Sequence, residues 1–427
     1  MAELKRHLGL FHTTMYGVGL ILGAGIYALI GDAAGLTGNS IWMSFVLAAI
    51  SAVFTGLSYA ELSSMYPKAA AEYSFIKNAF QNNFVAFLVG WLTLFVAIIS
   101  AAAIALGFGG YFTQIFGMPI AASAILIIAA LSFMNFFGIR ESSSMNIIFT
   151  VIEAAGLGLV IWAGLSISSV DINYFEMPNG YSGIFSAFTL VFFAYIGFEN
   201  IANIAEEIKN PKKVLPRAII LAITITAIVY ILVSVSAIRV LSWQELGSSV
   251  APLADVIKKA LGQEWGFGVL LIALFATTNT VLIMLISGSR ILYGIAQDKA
   301  LPSFFSVIHQ KRKTPWIAVV VIGALSACFV FAGDISTVAN ISVFAIIMVF
   351  VLVNVSLIWL RYKAPNTDRP FRSPLNVKKF PILAALGIAT PLFGIMQLNS
   401  FVILMGFGVA GAGIAFYFVY DKLVRQV

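Results

Sequence analysis

Gly17, Gly19, Gly23 and Gly25 crowd into the stretch TMYGVGLILGAGIYALIG, and Glu199 follows Gly197 in FFAYIGFEN. Glycine weakens a helix, and a carboxylate in hydrocarbon is costly unless it faces a cavity or a partner. Two readings of the first stretch compete. Gly19 and Gly23 form a GxxxG pair suited to close helix packing; alternatively, Gly23, Ala24 and Gly25 leave helical geometry and free several N–H groups. Those donors would stand at the start of a half-helix, where the dipole favours an anion such as a carboxylate. A matching break near Ala194 to Gly197 would expose carbonyl oxygens suited to an ammonium group. Donors from one segment and acceptors from the other fit a zwitterion, which points towards an α-amino acid. Phe193 could close over such a ligand or merely pack, and Tyr195 has the same choice.

Other polar groups stand where apolar ones are expected. Glu199 reads as a protonatable group lining a path or as half of a salt bridge, although no basic residue inside an apolar run is an evident partner. Glu153, in NIIFTVIEAAGLGLVIW, has long apolar flanks, so it is protonated, bound to a cation, or hydrogen-bonded to a neighbouring segment. Glu61, in YAELSSMYPK, stands near the end of its run and suits anchoring or gate closure. Thr277 and Thr278 belong to FATTNTVLIM, a polar face able to bond helices, hold water or ligate sodium. Beyond it, Arg290 and Asp298 could form ion pairs with Glu206, Glu207 or Glu61 in one gating state; ordinary positive-inside anchoring explains the remaining basic runs.

Enzymatic chemistry finds little support. The histidines, His7, His12 and His309, sit at loops or ends, with no Cys/His/carboxylate cluster for a metal and no sign of a cofactor. GVGLILGAG lacks the spacing of a phosphate loop, and no GxSxG, HExxH or Walker motif occurs, so the sequence carries no sign of ATP-driven transport. An ion or solute gradient must supply any energy. The single cysteine, Cys328, excludes an intrachain disulfide framework.

The frame that must position these groups is a membrane one. Hydrophobic residues make up 60% of the 427 and charged residues 10%, and the mean hydropathy is +0.98. A soluble domain cannot hide that much apolar surface, and runs without period-2 alternation mean helices, not barrel strands. Twelve runs of spanning length occur, at 10–34, 40–64, 84–112, 119–138, 146–168, 183–205, 214–238, 267–294, 316–333, 337–360, 381–397 and 400–420. With the N-terminus cytoplasmic, 22 of 25 basic residues fall inside and only Arg239, Lys258 and Lys259 outside. That bias predicts both termini in the cytoplasm of a multi-pass plasma-membrane protein. Lys5 and Arg6 precede a retained first helix, not a cleaved signal. The net charge of +7 follows from these loops and implies no nucleic acid.

The two interrupted runs are five spans apart, so the second enters from the opposite side. This is the arithmetic of an inverted repeat, 10–168 against 183–360, with 381–420 appended, and broken helices 1 and 6 crossing at the site.

Four motifs, GVGLILGAGIY at 17–27, YAELSSMYPKAAAEYSF at 59–75, FFAYIGFENIANIAEEIKNPKKVLPRAI at 192–219 and SRILYGIAQDKALP at 289–302, resemble those of the amino acid–polyamine–organocation family. The resemblance covers all twelve spans. It implies an all-α integral membrane protein of leucine-transporter-like fold, with a 5+5 inverted repeat plus two C-terminal helices, carrying amino acids by alternating access. It also implies that Gly23, Ala24 and Gly25, with Ile26 following, bind the substrate carboxylate. Carbonyls of Phe193, Ala194 and Ile196 would take the amine, Phe193 the aromatic gate place, and Glu199 the acidic place tied to proton response. One departure stands out: proton-coupled members commonly carry a lysine where this chain has Glu153. The family favours proton coupling or exchange, while sodium at Glu153 with Thr277 and Thr278 stays open. The partners expected are an amino acid, a proton or sodium ion and lipid; nothing sets the oligomeric state. A polyamine or cationic amino acid permease and a non-transporting amino acid sensor are the alternatives.

Overall fold

The computed structural model describes residues 8–68, 71–137, 143–167, 171–312 and 314–424. Lys5, Arg6, His7, Arg140, Lys313 and Arg425 of the charge and motif readings lie outside the described residues. The chain runs α1 (Leu10–Leu22), α2 (Ala24–Thr37), α3 (Ile41–Met65), α4 (Ala71–Phe80), α5 (Asn83–Phe116), α6 (Ile120–Phe136) and α7 (Ser143–Ser166). It continues through α8 (Gly180–Phe192), α9 (Asn200–Asn203), α10 (Pro211–Val240), α11 (Trp243–Ser248), α12 (Pro252–Leu261) and α13 (Gln263–Gln297). The last helices are α14 (Trp316–Phe329), α15 (Ile335–Lys363), α16 (Ile382–Ile395) and α17 (Ser400–Val424).

Among the described residues, eight helical stretches are long and apolar enough to cross a membrane, and three shorter apolar helices, Ile120–Phe136, Trp316–Ala332 and Ile382–Ile395, accompany them. The first stretch, Leu10–Met65, is broken at Gly23 and turned by a 3₁₀ segment at Gly38–Ser40. This is an all-α, multi-pass membrane protein. A water-free environment leaves backbone groups no partner outside the chain, which is why the long apolar runs coil into helices.

Local signals set where helices start. Asn82 caps α5 by accepting the N–H groups of Phe84 and Val85, and Asp334 caps α15 through Thr337 N–H. Proline opens α10 and α12, where its missing N–H costs nothing. The sequence reading contained neither α4 nor the pair α11 and α12. These are short helices between the long ones: α4 and α12 have narrow apolar faces, and α11 begins with a capping box formed by Ser242 and Glu245.

The packing order explains which helices hold a site. The halves α1 and α2 sit inside, against α10, α7 and α8, while α5 packs on α13 and α15. The C-terminal α17 lies outermost, with Leu404, Phe407 and Phe418 exposed as a lipid-facing stripe. At one end the N-terminal segment clips onto the polar stretch after α9, Leu8 N–H donating to Glu207 O and Lys209 N–H to Leu8 O. The connection after α15 folds at the same end, with a two-stranded antiparallel hairpin at Asn376–Val377 and Phe380–Pro381. The opposite end carries α11 and the connection before α8, joined by Asn39 and Trp243 donating to Glu176.

Candidate functional site

The break in the first span is one residue wide. Gly23 (φ −35°, ψ −149°) still donates to Gly19 O, and α2 restarts at Ala24. The expectation that Gly23, Ala24 and Gly25 all leave the helix is therefore corrected: only Gly23 does. The quick restart is itself what frees donors, because first-turn amides have no acceptor four residues back. Ala24 N–H donates to Thr280 Oγ1 on α13 at 3.2 Å. Gly25 follows on the same turn, where a Cβ would lie 2.7 Å from Ala194 Cα, so only glycine lets the two broken spans touch. Ile26 is fully buried and does not line the cavity described below.

The second break is longer. α8 stops at Phe192, a 3₁₀ turn covers Phe193–Tyr195, Ile196 is extended, and helix resumes only at Asn200. Gly197 has φ +133°, a conformation a side chain would strain. Phe193 O accepts Ile196 N–H, and Ala194 O accepts the Tyr230 hydroxyl at 3.1 Å. The same hydroxyl also reaches Ile21 O just before the first break. Tyr230, on α10, thus ties both interruptions together; in the sequence it is only a lone tyrosine in an apolar run.

Between the breaks lies a cavity of about 20 Å³, room for one or two waters and not for an amino acid. Gly25, Phe193, Ala194 and Ile196 line it, with Ser100, Thr280 and Met284 completing the wall. Ala24 lines it as well; Gly23 and Tyr195 do not. The Tyr195 hydroxyl instead donates to Phe45 O. Ser100 was not among the residues expected at the site, and Thr280 was expected only as part of the polar FATTNTVLIM face. Thr277, Thr278 and Thr280 all donate to carbonyls of their own helix, and the Thr280 oxygen in addition accepts Ala24 N–H from the first span.

The carboxylates differ in their surroundings. Glu199 is buried, its Oε2 accepting Gly197 N–H at 2.8 Å and its Oε1 accepting Asn200 Nδ2 at 2.9 Å. Glu153 is equally buried on α7. Its Oε1 meets Asn279 Nδ2 at a long 3.5 Å, its Oε2 has no partner among the described residues, and Tyr27 OH donates to its main-chain carbonyl. Glu61 lies far from the cavity in a buried charge network: Arg361 forks onto both oxygens at 2.7 and 2.6 Å, Arg369 reaches Oε1 at 3.2 Å, and Ser373 N–H donates to Oε2. Arg290 is not among its partners and is exposed on α13. Glu61 is held here by Arg361 and Arg369 because the end of α15 and the polar stretch after it lie over α3, a long-range contact that spacing does not display.

The family profile described as Amino acid permease matches residues 8–420. The chain is similar to the Branched-chain amino acid permease BcaP of Bacillus subtilis, 31% identical over 98% of this chain and 94% of that one. It is likewise similar to the Methylthioribose transporter of the same organism, 28% identical over 98% and 94%. Cationic amino acid transporter 4, vacuolar, of Arabidopsis thaliana is 30% identical over 85% of this chain and 64% of its own length. These relatives are transporters and permeases, not enzymes, and the match spans both helix breaks, the cavity and the capped ends alike. The chain belongs to the amino acid permease family, within the amino acid–polyamine–organocation transporters.

Proposed function

We propose that this protein carries α-amino acids with neutral, apolar side chains across the cell membrane by alternating access, coupled to protons. The frame we assign it is twelve spans, both termini cytoplasmic, with 10–168 and 183–360 as inverted repeats and 381–420 appended. The observation that carries the reading is the meeting of two helix breaks, at Gly23 and at Phe193–Glu199, on one cavity. The amide at Gly25 suits the substrate carboxylate. The carbonyls of Phe193, Ala194 and Ile196 suit the ammonium, each keeping a second lone pair after the bonds described above. Phe193 serves as the aromatic gate, with Tyr195 bracing behind it. The 20 Å³ volume fits a closed intermediate, since a cavity that small must expand before substrate enters.

Side-chain preference follows from the wall. Ile104, Phe193 and Met284 are apolar, and no carboxylate lines the cavity. A cationic side chain would be left there without a counter-charge. The relatives that transport cationic amino acids keep that reading as the alternative; it would need Glu199 to turn from Gly197 and Asn200 towards the cavity.

For coupling, Glu153 suits a group that takes up and gives up a proton, because one oxygen lacks a partner in a buried setting. Glu199 suits a brace, because both oxygens already accept N–H donors of the break itself. Glu61 suits the closed inner gate, and Arg290 a rim position that would act only in another state. Sodium at Glu153 is the alternative ion, since Thr277 and Thr278 donate only their O–H to their own helix and keep oxygen lone pairs for a cation. The test is uptake of a panel of labelled amino acids into reconstituted vesicles under imposed pH and Na+ gradients. Flux of branched-chain substrates driven by pH is expected; binding without flux would favour a sensor.

A further inference from the structure

Glu72 is a buried carboxyl that the transport reading leaves unused. It stands in the first turn of α4, at the end of the molecule that holds Glu61, and is 4% exposed. The Tyr59 hydroxyl donates to its Oε1 at 3.2 Å, and one residue earlier Ala71 N–H donates to Asn203 Oδ1 at 2.7 Å. Asn203 closes α9, the resumed half of the broken span, and its side chain also bonds Glu72. The Tyr59 ring meets Phe75 of α4, Phe198 beside Glu199, and Phe350 of α15 edge-on. A short helix is thus clamped over the inner half of the broken span by one carboxyl, one amide and one aromatic cluster.

The charges around Glu72 decide its state. Glu199, beside Phe198 on the broken span, is a second buried carboxyl here, its oxygens accepting Gly197 N–H and Asn200 Nδ2. No charged residue occurs along α5, which packs on α4. On α15, Arg361 is bound to Glu61, Tyr362 is exposed, and Lys363 lies over Trp359. No cation faces Glu72 among the described residues. An unpaired anion buried beside another carboxylate is costly, so the docked arrangement favours the neutral acid. Burial pushes its pKa up, opposed only by its hydrogen bonds.

We propose that Glu72 is a proton-dependent latch on the cytoplasmic gate: as the acid it holds α4 against the broken span, and on undocking it ionises in water and stabilises the open gate. Ionisation breaks its O–H bond and passes the proton to cytoplasmic water. Redocking takes one proton back, so the latch moves no net proton and sets only how opening depends on inner pH. The inference rests on the transport reading and on this end facing the cytoplasm.

The test is the initial rate of labelled leucine uptake, or of whichever panel member is carried, into oriented vesicles whose inner pH is varied at fixed outer pH. Opening linked to one proton weakens by at most about tenfold per pH unit as the inside is acidified. Glu72→Gln keeps a hydrogen-bonding side chain and cannot ionise; it is expected to lower the steepness of that dependence by one proton while apparent KM moves less than about twofold. Wild-type steepness in Glu72→Gln overturns the latch. Tyr59→Phe removes a donor that favours the anion, so acid inhibition is expected to begin at higher inner pH; should Glu72→Gln fail to insert, an unshifted Tyr59→Phe profile overturns the proposal by itself. Absence of flux for every panel member in the wild type overturns the transport reading and the latch with it, whereas normal flux with no effect of either variant overturns the latch alone.

Discussion

At the scale of single residues, the site depends on atoms that are absent as much as on those present. Gly25 lets α2 touch Ala194, and a methyl group there would meet Ala194 Cα and Cβ at 2.7 and 2.9 Å. Gly25→Ala is therefore expected to insert normally and to lose most transport, because separating the breaks by a few tenths of an ångström disrupts the positioning both half-sites need. Normal flux with unchanged KM would show that the contact is not needed. Tyr230→Phe removes the one hydroxyl that reaches both breaks, at a cost of about 1 kcal/mol of closed-state stability, read as a several-fold rise in KM with insertion unchanged. The glycines and the carboxylates were legible in the sequence because each is a local exception in an apolar run. Ser100 and Tyr230 were not, because neither stands out in its run and spacing does not report which carbonyls a neighbouring break leaves open; Thr280 was legible only as one hydroxyl of a polar cluster.

At the scale of elements, the helices themselves were largely legible and the connections were not. Runs of spanning length read directly as helices, whereas α4, α11 and α12 fall between them, short and amphipathic or capped. The segment after Arg361 lies between two such runs, and in the fold it brings Arg369 and Ser373 onto Glu61. Removing one partner of a buried ion pair typically costs about 3–5 kcal/mol. Arg361→Met is thus expected to lower the apparent melting temperature of the detergent-purified protein strongly, and Arg290→Met, exposed and outside the network, to leave it unchanged. Equal effects would remove Glu61–Arg361 as a structural lock. The α11 capping box offers a pH test. The Ser242 N–H and Lys259 hold the Glu245 carboxyl well below its ordinary range, at about 2. A depressed folded value means the carboxylate's contribution is full above the ordinary carboxylate range and is lost as pH falls towards 2. Glu245 is largely exposed, so solvent screening keeps that contribution small. Faster amide exchange over 243–261 in Glu245→Gln than in wild type is expected near neutral pH, with the difference vanishing in acid; a difference that persists would contradict the assignment.

At the scale of the whole molecule, two inner helices are interrupted, pressed together and sealed from both ends by unlike devices. The end that holds Glu61 is closed by a buried charge network and by α4. The opposite end is closed by hydrogen bonds such as Ser336 to Asp32, from the start of α15 to the second half of the first span. Such asymmetric closure is what alternating access needs, since each end must open while the other holds. The class of protein was legible from composition, and the two breaks from glycine spacing, because both are averages or local signals. The contacts that seal the ends join residues hundreds of positions apart, and a single sequence does not encode them. We propose these breaks as a proton-coupled site for neutral amino acids with Glu153 as the carrier. The most direct measurement is uptake of labelled branched-chain amino acids into vesicles under an inward proton gradient, for the wild type and Glu153→Gln side by side. Accumulation that collapses with the gradient is expected in the wild type, and substrate exchange without accumulation in the variant. Gradient-driven accumulation by Glu153→Gln at the wild-type level would contradict it.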